Sequence, residues 1–200
     1  MSKIIIGQWA SAGKLVPIKL LLELAGAQYE VVNYSKPDEW YAKDKLILGL
    51  PFPNLPYLIE GDIKLTETET IFDYLVYKLK KNDLLGQEKD KFIVGNIRNL
   101  FSDLYAKFSQ FIQKQGDEKQ QILNEQIIPK IKDIHKYLNK KDYLLGYFTV
   151  ADLYLFPAAL LLKQNLPQVY SEFASSFDPF LIRIQQIPQI AAYLSDNSKV

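Results

Sequence analysis

Two hundred residues are enough to bury a core and to form one large or two small domains. About half are apolar, and 24 Lys and Arg nearly balance 23 Asp and Glu, so no overall field draws the chain to nucleic acid or to an anionic membrane. The lack of cysteine rules out disulfides, thiolate metal sites and a cysteine nucleophile, and a single histidine, His135, argues against a histidine-based triad or a multi-histidine metal site.

Any thiol chemistry must therefore use a thiol that a ligand brings. The amino end, MSKIIIGQ, has too short an apolar run for a signal peptide. No stretch approaches the roughly 20 apolar residues of a membrane span. The expectation is a cytoplasmic protein.

Ile4–Ile6 reads as a buried strand that breaks at Gly7 into the loop QWASAG. The end of a first strand is where an α/β fold places its chemistry, and this loop carries Gln8 rather than an acid, a thiol or a phenol. Leu15, Ile18, Leu21, Leu22 and Ala25 recur at helical spacing, and Gly26 is a natural stop. YEVVNY, Tyr29 to Tyr34, is a second strand. A polar segment with Pro37, Trp40 and Lys45 leads to LGLPFPNLPYLIEGDIKL, where Tyr57–Ile59 and Ile63–Leu65 flank Glu60-Gly61-Asp62 in a hairpin pattern. Thr66-Glu67-Thr68-Glu69 reads as a capping box opening a helix over Thr70–Lys80. The order βαβ then ββα over about 80 residues is thioredoxin-like α/β architecture.

A polar linker, KKNDLLGQEKD, follows. Beyond it the patterns are helical only, over residues 88–114, 118–139, 150–163, 168–175 and 179–195, with Pro129 bending the second. Two domains are expected, a thioredoxin-like one over 1–81 and an all-α one over 88–200. His135, within IKDIHKYL, reads as a partly exposed helix residue.

Four constellations carry chemistry. In Asn54-Leu55-Pro56-Tyr57, Pro56 at a strand entry is either an ordinary turn proline or a cis proline. A cis bond would expose the backbone of Leu55 to an extended peptide ligand. Glu67-Thr68 at a helix start either caps the helix or binds an α-amino acid group. In the second case the free N–H groups and the Thr68 hydroxyl would take the carboxylate, and Glu67 the ammonium. Trp40 with Lys45 offers an indole N–H and an ammonium to a second carboxylate, or is a solvated loop. Thr149 and Asp152 in FTVADL form a capping box, a folding element.

IIGQW, LLLE, LGLPFPNLPYLIEGDIKLTETETI, LLGYFTVADL and IPQIAAYL, in this order and spacing, make the chain resemble a cytosolic glutathione transferase over essentially its full length, closest to the mu and sigma classes. The resemblance implies glutathione transferase architecture, a homodimer, and a detoxifying transferase that conjugates glutathione to small hydrophobic electrophiles. It implies glutathione as co-substrate, with no metal or other cofactor and no nucleic-acid or membrane partner. The backbone of Leu55, before the family's cis proline at Pro56, would pair with the cysteinyl part of glutathione beside Asn54. Glu67 and Thr68 would take the γ-glutamyl end, helped by Asp103 of the second subunit. Trp40 and Lys45 would hold the glycyl end. Their spacing is one residue longer than usual, which makes Tyr41 the alternative to Trp40. Trp9 matches a tryptophan beside the site, and Lys14 falls where the mu pattern has leucine. Phe101, Tyr105 and Phe108 either line the electrophile pocket or pack the core.

The resemblance also sharpens the meaning of Gln8, which stands where the family has a tyrosine whose hydroxyl donates to the glutathione sulfur. A hydrogen bond to a charged group is worth ~1.5–3 kcal/mol, one to two units of thiol pKa. A free thiol titrates near ~8.5, so that bond is the principal catalytic device. Gln8 is either a weaker donor, or is relieved by the hydroxyl of Ser11, or marks a protein that binds glutathione without turnover. A glutathione-dependent isomerase is a further alternative.

Overall fold

The computed structural model describes residues 2–10 and 15–196. The chain divides into two compact units, residues 1–82 and 83–200.

The first unit is built on a four-stranded sheet, β1 (Ile4–Trp9), β2 (Tyr29–Tyr34), β3 (Tyr57–Glu60) and β4 (Ile63–Thr66), in the order β2-β1-β3-β4. β1 runs parallel to β2 and antiparallel to β3, and β3 and β4 form the hairpin expected around Gly61 and Asp62. α1 (Val16–Leu24) is the crossover between the two parallel strands, and α4 (Thr68–Lys78) follows the hairpin. α1 ends as its sequence requires. Gly26 takes a left-handed φ of 62°, its N–H bonds to Glu23 O and the Ala27 N–H to Leu22 O, the paired closure that a glycine after a helix permits.

Alternation along β1 divides the side chains between two faces. Ile4, Ile6 and Gln8, all buried, point to one. Ile5, Gly7 and Trp9 point to the other, where Ile5 and Trp9 pack on a cluster of Tyr34, Trp40, Leu50 and Tyr57. Gly7 stands opposite Tyr57 in the β1–β3 ladder, and a Cβ there would lie 2.1 Å from the Tyr57 ring. Glycine is the residue that lets the ring lie against the strand.

Between β2 and β3 the chain is helical but irregular: α2 (Pro37–Glu39), a π-turn over Trp40–Asp44, and α3 (Lys45–Ile47). The sequence reading placed a loop there. The next difference lies at α4, which begins at Thr68, two residues earlier than expected, with Glu67 as its N-cap and no side-chain capping bond. Thr66, the expected cap, is instead the last residue of β4.

The second unit is all helical: α5 (Asp90–Gln113), α6 (Gly116–Gln121), α7 (Ile128–Leu138), α8 (Val150–Asn165), α9 (Pro167–Gln185) and α10 (Pro188–Ser195). A π-turn over Ile122–Ile127 separates α6 from α7, directly before Pro129, which has no N–H to continue the ladder. Residues 168–185 form one helix rather than being divided near 175–179, because Pro179 is tolerated within α9. The capping box at α8 is complete: Asp152 Oδ2 accepts from the Thr149 N–H at 2.8 Å and Oδ1 from the Leu144 N–H at 2.9 Å, all three residues being buried. Phe101, Tyr105 and Phe108 are buried in this unit, and Tyr105 donates to the Tyr154 carbonyl at 2.9 Å. Of the two readings open for this trio, the structure favours core packing.

Candidate functional site

The residues singled out by sequence lie mostly at one end of the first unit's sheet. Ser11 and Lys14 lie outside the described residues.

Gln8 sits at the end of β1 opposite Asn33 of β2. Its Nε2 donates to Asn33 Oδ1 at 2.8 Å. Its Oε1 is buried and has no hydrogen-bond partner among the described residues. An unpartnered buried amide oxygen costs ~1–3 kcal/mol, so a polar atom at this position is retained against a stability penalty. Asn33 went unnoticed in the sequence. Only the parallel register of β1 and β2 makes it a neighbour of Gln8, and register is not legible from either strand alone.

Trp9 leaves the opposite face of the strand and lies 5.9 Å, centroid to centroid, from Tyr41. Lys45 Nζ stands 5.2 Å from the same Tyr41 ring. Tyr41 is exposed, whereas Trp40 is 2% exposed and stacks on Tyr57 at 5.9 Å. Trp40 thus belongs to the core cluster. Trp40 opens the π-turn with its side chain in the core, and Tyr41, the next residue, stands beside Lys45. The turn is anchored from below. Asp44 accepts from the Tyr34 hydroxyl at 2.6 Å, and that hydroxyl lies 3.1 Å from the Tyr57 hydroxyl. Burial, with the Asp44 bond, pushes the Tyr34 hydroxyl far above its ordinary range, so it stays a donor.

The Leu55–Pro56 peptide is cis. The Leu55 side chain packs on the Tyr34–Trp40 cluster, and its backbone N–H and C=O make no hydrogen bond among the described residues. Asn54 Nδ2 donates to Glu67 Oε1 at 2.9 Å, which ties this loop to the start of α4. Glu67 is exposed and has φ 69° and ψ 122°, a left-handed backbone that L residues avoid. Thr68, half-buried, is the first residue of the helix. An α4 N-terminus without a side-chain cap leaves its leading N–H groups to bind an anionic group.

In the second unit Asp103 is ion-paired with Lys130 at 2.5 Å, and that hydrogen bond holds its carboxyl below the ordinary range. His135 is half-buried, 5.2 Å from the Phe173 ring. Among the described residues no group of three or more His, Cys, Asp or Glu could hold a metal ion, and no helix is long and apolar enough to cross a membrane.

A small mixed sheet with a cis proline before β3, followed by a bundle of helices, defines a class of protein that comparison with known chains identifies. Residues 8–77 match the glutathione S-transferase N-terminal domain, and residues 102–197 the glutathione S-transferase C-terminal domain. The class-mu 26 kDa glutathione S-transferase isozyme of Schistosoma japonicum is 32% identical, covering 98% of this chain and 90% of its own length. Glutathione S-transferase Mu 1 of Bos taurus is 30% identical over 96% of this chain and 91% of its own. A glutathione S-transferase structure from Caenorhabditis elegans superposes with a TM-score of 0.80 at 25% identity, covering 98% of each chain. The chain belongs to the glutathione S-transferase family. Membership supports glutathione conjugation in general as its activity.

Proposed function

We propose that the protein binds glutathione along the first unit and conjugates it through its sulfur to small hydrophobic electrophiles, with thiol activation weaker than a tyrosine would give. The observation that carries the binding is the joined pair Asn54–Glu67, with the unpaired Leu55 backbone on one side and the uncapped start of α4 on the other. In this reading the Leu55 backbone pairs with the cysteinyl part. The leading N–H groups of α4 and the Thr68 hydroxyl take the γ-glutamyl carboxylate, and Glu67 its ammonium. Tyr41 and Lys45, rather than Trp40, hold the glycyl carboxylate, with Trp9 beside them and Lys14 close in sequence. A cytoplasmic homodimer completes the site, Asp103 of the second copy reaching the γ-glutamyl ammonium after sharing its charge with Lys130. Exposed Phe52 and Phe92 are large apolar surfaces consistent with such pairing.

The thiol first loses its proton to solvent; the thiolate then forms the carbon–sulfur bond while the electrophile's leaving group departs with its electron pair, or its activated double bond takes up the pair and a proton from solvent. Gln8 has two amide N–H groups, and Asn33 already accepts from this nitrogen. That leaves at most one weak donor for sulfur, while the unpartnered Oε1 repels a thiolate. The Ser11 hydroxyl is then the stronger candidate to stabilise the thiolate. The same engagement of Gln8 favours a second reading, a glutathione binder without useful turnover.

Titration of bound glutathione, following thiolate absorbance in the native protein, Gln8→Tyr and Ser11→Ala, separates the two. The transferase reading expects a thiol pKa below the free value of ~8.5 in the native protein, lost in Ser11→Ala and lowered by a further one to two units in Gln8→Tyr. Binding at the free pKa with no conjugation leaves the binder. No glutathione binding overturns both.

A further inference from the structure

Among the described residues the Gln8 side chain makes a single hydrogen bond, from Nε2 to Asn33 Oδ1 at 2.8 Å, and its buried Oε1 makes none. Gln8 and Asn33 stand opposite each other in the parallel β1–β2 ladder, which puts both side chains on one face of the sheet. β2 is an edge strand of that sheet. The two residues are unequally buried. Gln8 is 5% exposed, whereas Asn33 is open to solvent and makes no other side-chain hydrogen bond among the described residues.

A primary amide donates at one end and accepts at the other, so its partner decides which end is left free. Asn33 offers an acceptor, so the Gln8 donor points to β2 and the free end is the oxygen. That end carries partial negative charge and disfavours a thiolate nearby. To donate the same N–H to a sulfur, Gln8 must give up the Asn33 bond, and only the difference between the two bonds then favours the thiolate. A residue at 33 that cannot accept would end this competition. It would leave Gln8 with a buried N–H lacking an acceptor, which a bound thiolate supplies.

We propose that Asn33 is a positioning residue: by accepting from Gln8 Nε2 it withholds that donor from the glutathione sulfur and keeps thiol activation weak. This role rests on the reading in which glutathione binds along the first unit with its sulfur near Gln8. Asn33 itself touches no reacting atom, and its effect passes through the Gln8 amide.

The test follows the thiolate absorbance of bound glutathione against pH in the full-length protein. Calorimetry at pH ~6, where the thiol is protonated, reports binding separately. Asn33→Val, a residue that suits an exposed strand and cannot accept, should lower the bound thiol pKa by at least about half a unit, about threefold more thiolate at neutral pH. Asn33→Ala should act in the same direction. Asn33→Asp, whose carboxylate still accepts from Nε2, should not lower it. Asn33→Val in a Gln8→Leu background should not lower it either, because the released donor is absent. A thiol pKa unchanged or raised in Asn33→Val, lowered in Asn33→Asp, or lowered equally without Gln8 would overturn the role of Asn33 and leave glutathione binding standing. Loss of glutathione binding in Asn33→Val alone would do the same. Absence of glutathione binding in the native protein would overturn this role and the reading beneath it.

Discussion

Two helices of this chain are preceded by the same kind of sequence, a hydroxyl residue followed three places later by an acid, and they begin in opposite ways. At α8, Thr149 has an extended φ of −139°, and the Asp152 carboxylate accepts the buried N–H groups of Thr149 and Leu144. At α4, Thr66 lies in β4 and is not the N-cap. The N-cap is Glu67, left-handed, exposed, and tied to Asn54 instead of to its own helix. The first start uses its polar groups to complete a fold. The second holds a strained residue and leaves helix N–H groups open, which costs stability and suits a ligand. Gln8, with its unpartnered oxygen, belongs with the second.

The comparison is broken most directly at α8. Asp152→Ala leaves two buried N–H groups without acceptors and should destabilise the protein by about 2–4 kcal/mol, read by urea denaturation. A cost no larger than that of a surface substitution would mean that the box is not a folding element.

The pH dependence sharpens it. Burial pushes the Asp152 carboxyl up to about 6, against the hydrogen bonds that favour its charge. With the folded value above the unfolded value of ~3.9, its contribution is full below pH ~4 and is lost as pH rises through 6. The stability of the native protein relative to Asp152→Asn should therefore fall by about 2 kcal/mol between pH 4 and 7. A flat difference would mean that Asp152 titrates normally.

At α4 the sign reverses. Glu67→Gly relieves the left-handed backbone and should raise stability by about 1 kcal/mol while weakening glutathione binding, measured by thermal unfolding and by calorimetry. Loss of stability there would remove the contrast with α8.

The smallest effect is expected at Gln8. Gln8→Leu removes the orphan oxygen together with one bond to Asn33, so stability should change by less than about 1 kcal/mol, in the stabilising direction. A large destabilisation would make Gln8 a structural residue.

Much of this was legible along the chain. The β-branched and aromatic run YEVVNY, the helical recurrence before Gly26 and the hairpin around Gly61 follow from local rules, and the structure has a strand, a helix and a hairpin there. Thr149 and Asp152 were readable because a capping box is closed within four residues. The helix start moved from Thr66 to Glu67 because β4 runs through Thr66 and the Asn54 bond holds Glu67, neither of which the local pattern contains. The burial of Trp40 was not legible for a related reason: a π-turn changes which side of a helix a residue occupies, and nothing in the residue types at 40–44 announces one.

The two-part architecture and the family were readable along the chain, and so was the fact that any thiol must come from a ligand, since the chain has no cysteine. Only the tertiary structure decided that Tyr41 rather than Trp40 stands beside Lys45 and that Asn33 engages Gln8. Each of these is set by segments distant along the chain: by strand register or by the core beneath the π-turn. Local propensities are blind to such contacts because their energy appears only when the segments meet.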